Sequence, residues 1–287
     1  MKAARLHEYH QPLKVEEVDE PKALGPLDVV VKIGAAGLCR PCRRGDDMHC
    51  VNGEFPGIGR DGGFAEFLHT SARSVIKLDP SLHPTDIAAL ADAGLTAIHA
   101  VKKAIPVLTA GTRAVVIGAG GLGHIGIQCL KALTPAEVIV IDPSEKALAL
   151  AGEMGADQTV KVDGSKHVDT VKEMTDGFGA EAIIDFVGEK GAIEDGIAMV
   201  RDGGFYYVIG YGENIDIPTI DVISREISFI GNLVGTYADL EELMTLTTQG
   251  QVTLHTSTYP LDAINDAMAD LDGGRLQGRG ILVPAGA

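Results

Sequence analysis

Two groups of residues in this 287-residue chain have the types and spacing to do chemistry. The first is Gly118-Ala119-Gly120-Gly121-Leu122-Gly123, which follows the apolar run Arg113-Ala114-Val115-Val116-Ile117. A G-x-G-x-x-G run alone is a weak signal, but one that ends a strand and opens a helix has the context of a dinucleotide site. Gly118 permits the tight turn, Gly120 lets the backbone come close to a pyrophosphate, and Gly123 lets the helix pack against the strand. Gly121 and Leu122 open the helix, where unpaired N–H groups and the positive dipole end favour phosphate. The next apolar run, Glu137-Val138-Ile139-Val140-Ile141, ends at Asp142, 19 residues past Gly123. A carboxylate there accepts hydrogen bonds from ribose hydroxyls and repels a 2′-phosphate, and Pro143-Ser144 offers no arginine to hold one. These residues favour NAD over NADP. The competing reading makes Asp142 only the N-cap of the following helix.

The second group is Cys39, Cys42 and Cys50, three of the four cysteines, inside twelve residues. Such crowding does not suit a disulfide framework, and in a reducing compartment it points to metal. The spacing is that of ligands for one zinc, with Asp46, Asp47, His49 or water as the fourth. Three free thiols on a loop are the alternative, because three cysteines leave the set incomplete. Cys129 shares a helical face with Leu122, Ile125 and Leu133 and reads as a core thiol. His99 and His124 have no acidic or cysteine partner in the sequence and read as structural.

The elements that must hold these groups follow from the hydrophobic pattern. Ala3-Arg5, Leu13-Val18 and Val29-Ile33 read as strands, with turns at Glu20-Pro21 and Gly25-Pro26. Residues 39–63 form a loop long enough to need a tether, and Phe64 to Leu78 returns to strand character. Thr85 to Val101 reads as one helix. Strands are then predicted at Ala114-Ile117, Val138-Ile141, Ala182-Phe186, Phe205-Ile209 and Ile227-Gly231. Helices are predicted at Gly121-Leu133, Ser144-Met154, His167-Thr175, Gly191-Val200 and Leu240-Thr248. Near-continuous apolar strands alternating with helices make an α/β Rossmann fold with a doubly wound parallel sheet. A strand at Val252-Tyr259, a helix from Leu261 to Leu271 and a strand at Gly280-Pro284 close the chain.

Bulk properties narrow the partners. Hydrophobic residues make up 45%, and 24 Lys and Arg stand against 40 Asp and Glu, a formal charge of −16. That excess repels phosphate and excludes nucleic acid and anionic membranes as partners. No apolar run has the length of a membrane span, and Met1-Lys2-Ala3-Ala4-Arg5 lacks an apolar signal core. The expected location is cytoplasmic.

The chain resembles the zinc-type alcohol dehydrogenases of the medium-chain dehydrogenase/reductase family over nearly its whole length. The resemblance rests on the opening Met1-Lys2-Ala3-Ala4, on Lys32-Ile33-Gly34-Ala35-Ala36-Gly37-Leu38-Cys39-Arg40 and on Asp61-Gly62-Gly63-Phe64-Ala65-Glu66-Phe67. It continues through Ala91-Asp92-Ala93-Gly94-Leu95-Thr96, the nucleotide-binding unit and Gly278-Arg279-Gly280-Ile281-Leu282. It implies a GroES-like catalytic domain built from residues 1–95 and 253–287, with a Rossmann domain at 96–252 between them. It also implies Cys39, Asp92 and Thr96 as catalytic positions, Thr96 beside the nicotinamide. Val187, Ile209 and Gly210 would line the nicotinamide pocket, Asn232 and Leu233 would pass near its amide, and Arg279 would hold the pyrophosphate. The substrate would be a small alcohol or ketone. The apolar edge Ile227-Ser228-Phe229-Ile230 would pair with its twin in a homodimer, or within a tetramer.

The sequence departs from the family at the zinc sites. After Cys39-Arg40 the expected hydroxyl residue and Asp are replaced by Pro41 and Cys42. No Gly-His-Glu occurs, and the one His-Glu pair, His7-Glu8, lies in the opening segment. Asp92 matches a third catalytic ligand, so a catalytic zinc would have Cys39 and Asp92 alone where three protein ligands are usual. Cys39, Cys42 and Cys50 also match the last three cysteines of the family's structural-zinc pattern, with Ala36 in place of the first. Cys39 thus serves two motifs, as at a join, and several tens of family residues are missing near 39–41. The join is an internal deletion, a segment omitted from this sequence, or a short member with rebuilt chemistry. Three functional readings follow: a zinc-assisted NAD-dependent alcohol dehydrogenase, a catalytically impaired NAD-binding scaffold, or a zinc-free enzyme of the quinone-reductase kind.

Overall fold

The computed structural model of the chain describes residues 2–5, 12–19, 28–29, 39–71 and 74–285. It divides into two compact units: Met1–Ala91 with Gly235–Met244 and Leu254–Ala287, and Asp92–Val234 with Thr245–Thr253.

In the first unit β1 (Lys2–Arg5) pairs antiparallel with β2 (Lys14–Glu17), Ala3 opposite Glu16. A short helix α1 (Arg40–Arg43) and a 3₁₀ turn (Asp47–His49) organise the cysteine loop. The two-residue strands β3 (Asp28–Val29) and β4 (Thr70–Ser71) pair antiparallel, and α2 (Pro84–Ile87) runs into a 3₁₀ turn (Ala88–Ala91).

The second unit opens with α3 (Ala93–Ala104) and then alternates. Its elements are β5 (Arg113–Ile117), α4 (Gly123–Leu133), β6 (Glu137–Asp142), α5 (Glu145–Glu153), β7 (Gln158–Lys161), α6 (Lys166–Met174) and β8 (Ala180–Asp185). They continue with α7 (Ala192–Met199), β9 (Val200–Val208), α8 (Thr219–Arg225) and β10 (Ser228–Gly231). After it come α9 (Tyr237–Thr248), β11 (Thr256–Pro260), α10 (Ile264–Asp272) and β12 (Arg279–Val283), with β11 and β12 parallel.

The six strands of the second unit lie in the order β10-β9-β8-β5-β6-β7, all parallel. The chain winds outward from β5 to β6 and β7, then returns to build β8, β9 and β10 on the other side. This is the doubly wound Rossmann arrangement, and ligands bind where the order reverses, beyond the carboxyl ends of β5 and β8. The inner strands are apolar along nearly their whole length because helices cover both faces. Val115, Val116, Ile139, Ile183 and Ile184 are fully buried. Helix α4 buries Ile125, Ile127, Cys129 and Leu130 on the sheet, so Cys129 is the core thiol that its spacing predicts. Among the described residues no helix is long and apolar enough to cross a membrane.

Several expectations need correction. The single helix predicted over Thr85–Val101 is α2, a 3₁₀ turn and α3, because Asp92 leaves helical geometry (φ −130°, ψ −71°). Strand character across Phe64–Leu78 reduces to β4 and an isolated bridge between Ala3 and Ala65. Phe64 and Phe67 stay almost half exposed, whereas Leu68, Thr70 and Ser74 are buried, so the bulkiest side chains of the run supply little of its covered surface. The strand placed at Val252–Tyr259 starts later, at Thr256. Strand β7 and helix α8 were not foreseen. The first is a polar edge strand that buries only Val160, and the second buries none of its residues, so neither carries the apolar signal that periodicity reads. The turns at Glu20-Pro21 and Gly25-Pro26, most of the Val29–Ile33 strand, the Lys32–Leu38 segment and His7-Glu8 lie outside the described residues.

Helix α4 approaches β8 closely at Gly126, where an added Cβ would stand 2.5 Å from Cζ of Phe186. Gly126→Ala is therefore expected to destabilise the protein by about 1–3 kcal/mol through overpacking. Thermal melts should show a lower midpoint for Gly126→Ala and partial recovery in Gly126→Ala/Phe186→Leu, a non-additive pair.

Candidate functional site

The glycine turn leaves β5 at Gly118, whose left-handed backbone (φ +87°) only glycine adopts without strain. A Cβ on Gly118 would also meet Cγ2 of Val187 at 2.6 Å. Gly123 is tighter still, because a Cβ there would fall on the carbonyl oxygen of Gly118. Gly120 is the opposite case: nothing lies within 4 Å of where its Cβ would be, so its open face is free for a ligand. Leu122 is the N-cap of α4 and gives no side-chain cap bond. The glycine turn therefore runs from β5 straight into the first turn of α4, a helix N-terminus of the kind that favours an anion. His124, fully buried, braces the turn through an Nδ1 contact of 2.8 Å to the Gly120 carbonyl.

Asp142 ends β6 and is 8% exposed. Its Oδ2 accepts from the backbone N–H of Ala119 (2.9 Å) and its Oδ1 from that of Ser144 (2.7 Å). The N-cap of α5 is Ser144, whose Oγ accepts from Ala147, so Asp142 is not that cap. Asp142 ties the glycine turn to β6, and each oxygen keeps a further lone-pair position for a ribose hydroxyl.

The ends of β8, β9 and β10 form a second surface. Asp185, fully buried, ends β8 and accepts from the N–H groups of Val187 (2.8 Å) and Gly188 (3.0 Å) through Oδ1. Its Oδ2 accepts from the hydroxyl of Tyr206 (2.8 Å). Burial first, and then the Asp185 charge, push the Tyr206 hydroxyl far above its ordinary range and keep it a donor. The N–H groups of Ile209 and Gly210 both donate to the Asp185 carbonyl. Asn232 follows β10 and donates through Nδ2 to the carbonyls of Val208 (3.1 Å) and Ile230 (2.9 Å), while its Oδ1 is buried without a partner. A buried acceptor with no donor suits a ligand that brings one. Leu233 beside it is about half exposed. Sequence reasoning did not single out Asp185 or Tyr206. The signal was present, since an acid ending the apolar run Ala182-Ile183-Ile184 repeats the pattern that identified Asp142.

Thr96 lies in the first turn of α3, and both its N–H (2.9 Å) and its hydroxyl (2.8 Å) donate to the carbonyl of Asp92. Arg279 opens β12 in the first unit, with its N–H on the carbonyl of His255.

The cysteines converge. Cys39 is the N-cap of α1 and its Sγ lies 3.4 Å from that of Cys42 and 3.8 Å from that of Cys50. The three sulfurs lie within 4.8 Å of one another. Tetrahedral zinc with Zn–S of about 2.3 Å sets its sulfurs roughly 3.8 Å apart, so the triad fits the ion. Backbone N–H bonds from Cys42 and Val51 lower the Cys39 thiol to about 7. Among the described residues the group stops at three, without Asp46, Asp47 or His49. Asp47 instead accepts the N–H of Tyr237 (3.1 Å), and Asp46 pairs with Arg44 (3.3 Å).

Comparison with known proteins identifies the family. The family described as zinc-binding dehydrogenase matches residues 121–249. D-arabinose 1-dehydrogenase (NADP(+)) of Saccharolobus solfataricus is 30% identical over 344 positions, covering 99% of this chain and 97% of that protein. An NAD-dependent alcohol dehydrogenase of Sulfurisphaera tokodaii is 31% identical over 277 positions, covering 94% and 79%. The crystal structure of the alcohol dehydrogenase of Aeropyrum pernix superposes with a TM-score of 0.94 at 39% identity, covering 99% of this chain and all of that one. The first alignment is 344 positions long and this chain has 287 residues, so at least 57 of those positions face no residue here. The sheet, the glycine turn and these relatives together make the chain a member of the zinc-type alcohol dehydrogenases of the medium-chain dehydrogenase/reductase family, with a Rossmann domain and a GroES-like catalytic domain.

Proposed function

We propose that the chain binds NAD and acts as an NAD-dependent alcohol dehydrogenase on a small alcohol or ketone. Asp142 carries the reading: a buried carboxylate at the end of β6, bonded to the turn that would receive the pyrophosphate. It offers lone pairs to ribose hydroxyls and charge repulsion to a 2′-phosphate. NAD supplies the hydride acceptor, and the protein supplies position and electrostatics. Gly120, Gly121, Leu122 and Gly123 give backbone N–H groups and an open approach to the pyrophosphate. Asn232 Oδ1, buried without a partner, would accept from the carboxamide N–H, and Val187, Ile209, Gly210 and Leu233 would line the ring's pocket. Thr96 contributes its methyl face, since its hydroxyl is engaged by Asp92. The apolar edge strand β10 suits a homodimer or a tetramer.

Zinc fits the cysteine triad in a structural manner, with water completing the set and the ion cross-linking the loop. The same set does not suit a catalytic ion, because Cys39 is committed to the triad and no Gly-His-Glu supplies the usual histidine. That mismatch, the absent Gly-His-Glu and the 57 or more unmatched positions favour a second reading, an NAD-binding scaffold with little turnover.

Intact mass against the calculated 30.0 kDa, followed by assay on a panel of alcohols and ketones, separates the two readings. Turnover that survives at the calculated mass supports the enzyme; NADH binding with no turnover supports the scaffold. NADH should bind at least about tenfold more tightly than NADPH by fluorescence titration, a difference of about 1.4 kcal/mol. Asp142→Asn should shrink that preference, and equal affinities in the unaltered protein would refute the NAD assignment. In metal-free protein, alkylation of the cluster should rise with a midpoint near pH 7. Because the thiol value is lowered, zinc affinity should hold above pH 7 and fall as pH drops through it, read by a chromogenic zinc chelator.

A further inference from the structure

We infer that Asp185 is a positioning residue for the nicotinamide half of the cofactor, acting through the loop that it holds at the end of β8; this rests on the NAD reading above. Asp185 is fully buried, follows the apolar run Ala182-Ile183-Ile184 at the end of β8, and belongs to none of the groups expected to touch a ligand. Its side chain has three partners, and each is a part of the strand-end surface. Oδ1 gathers the N–H groups of Val187 and Gly188, which forces the chain to turn at once after β8. Oδ2 takes the hydroxyl of Tyr206 on the neighbouring strand β9. Its backbone carbonyl takes the N–H groups of Ile209 and Gly210, where β9 ends.

The loop so held has no slack. Gly188 stands at φ +65°, and a Cβ there would meet the backbone of Gly210. A Cβ on Gly210 would in turn meet the backbone of Val187. The Val187 side chain lies against Gly118, the first residue of the pyrophosphate turn. One carboxylate therefore fixes the spacing of the carboxyl ends of β8 and β9 and presses Val187 toward the end of β5. Loss of those bonds would free Val187 and Gly210 while leaving the Gly120 turn and Asp142 as they are, because Asp142 fastens that turn independently from β6. The expected defect is thus confined to one half of the dinucleotide.

The test compares two ligands on three proteins. NADH carries the nicotinamide and ADP-ribose lacks it, so their dissociation constants separate the two halves. In Asp185→Asn, Oδ1 still accepts but Nδ2 meets the Tyr206 hydroxyl as a donor, and in Tyr206→Phe the ring is kept and the bond to Oδ2 is lost. Both variants should bind ADP-ribose within about twofold of the unaltered protein. NADH affinity should fall by about tenfold in Asp185→Asn, equivalent to the loss of one well-made hydrogen bond. It should fall by a smaller factor in Tyr206→Phe. Equal weakening of both ligands, or NADH binding unchanged in a folded variant, would overturn the positioning role. Should Asp185→Asn fail to fold, the same comparison on Tyr206→Phe decides the matter, since its ring still fills the space beside Gly196. If the unaltered protein binds neither ligand, the NAD reading itself fails, and that outcome is distinct from the other two.

Discussion

Contact of backbone with backbone at the carboxyl ends of β5, β8 and β9 sets the terms for the nucleotide-binding unit. Gly123 rests against the Gly118 carbonyl, Gly188 against Gly210, and Gly210 against Val187, each at a distance where no side chain fits. Approaches this close leave little room for water, so the polar groups between them need partners inside the protein. The two strand-end acids, Asp142 and Asp185, provide them by accepting from four N–H groups of the turns. Glycine and buried carboxylate are two halves of one solution: the first allows the approach and the second satisfies the amides that it strands.

Much of this was legible before any coordinates. The run Arg113–Ile117 followed by three spaced glycines fixed a strand, a turn and a helix, because each glycine answers a separate steric demand. Asp142 was legible because it ends an apolar strand at a known distance from that turn. Asp185 carries the same mark and escaped notice because no ligand group was expected at its position. Periodicity failed where burial is slight, at the polar edge strand β7 and at α8, which buries no residue. It also failed at Asp92, where a helix-like pattern is interrupted by a single residue out of helical geometry. Pattern reading detects covered faces, and these elements have little covered face to detect.

The cysteine loop shows a different limit. Spacing alone named Cys39, Cys42 and Cys50, and the fold brings their sulfurs to zinc-like separations. Spacing could not say which acid, if any, would join them. Asp46 and Asp47 are near in sequence, yet each is engaged by another partner, Arg44 and the Tyr237 N–H. A fourth ligand depends on where long-range neighbours draw each carboxylate.

The two units also differ in how the chain supplies them. All six strands of the sheet lie between Arg113 and Gly231, whereas the first unit takes its parts from three separated segments, the last beginning at Leu254. On a ribosome the sheet has every strand that it needs before β11 and β12 are synthesised, and domains tend to fold as they emerge. The first unit must wait for β11 and β12 to close its long-range contacts, which carry the larger entropic cost. The cysteine triad at Cys39, Cys42 and Cys50 belongs to that late-assembling unit. The sheet has its complete set of six strands before the ribosome supplies the last strands that the first unit needs.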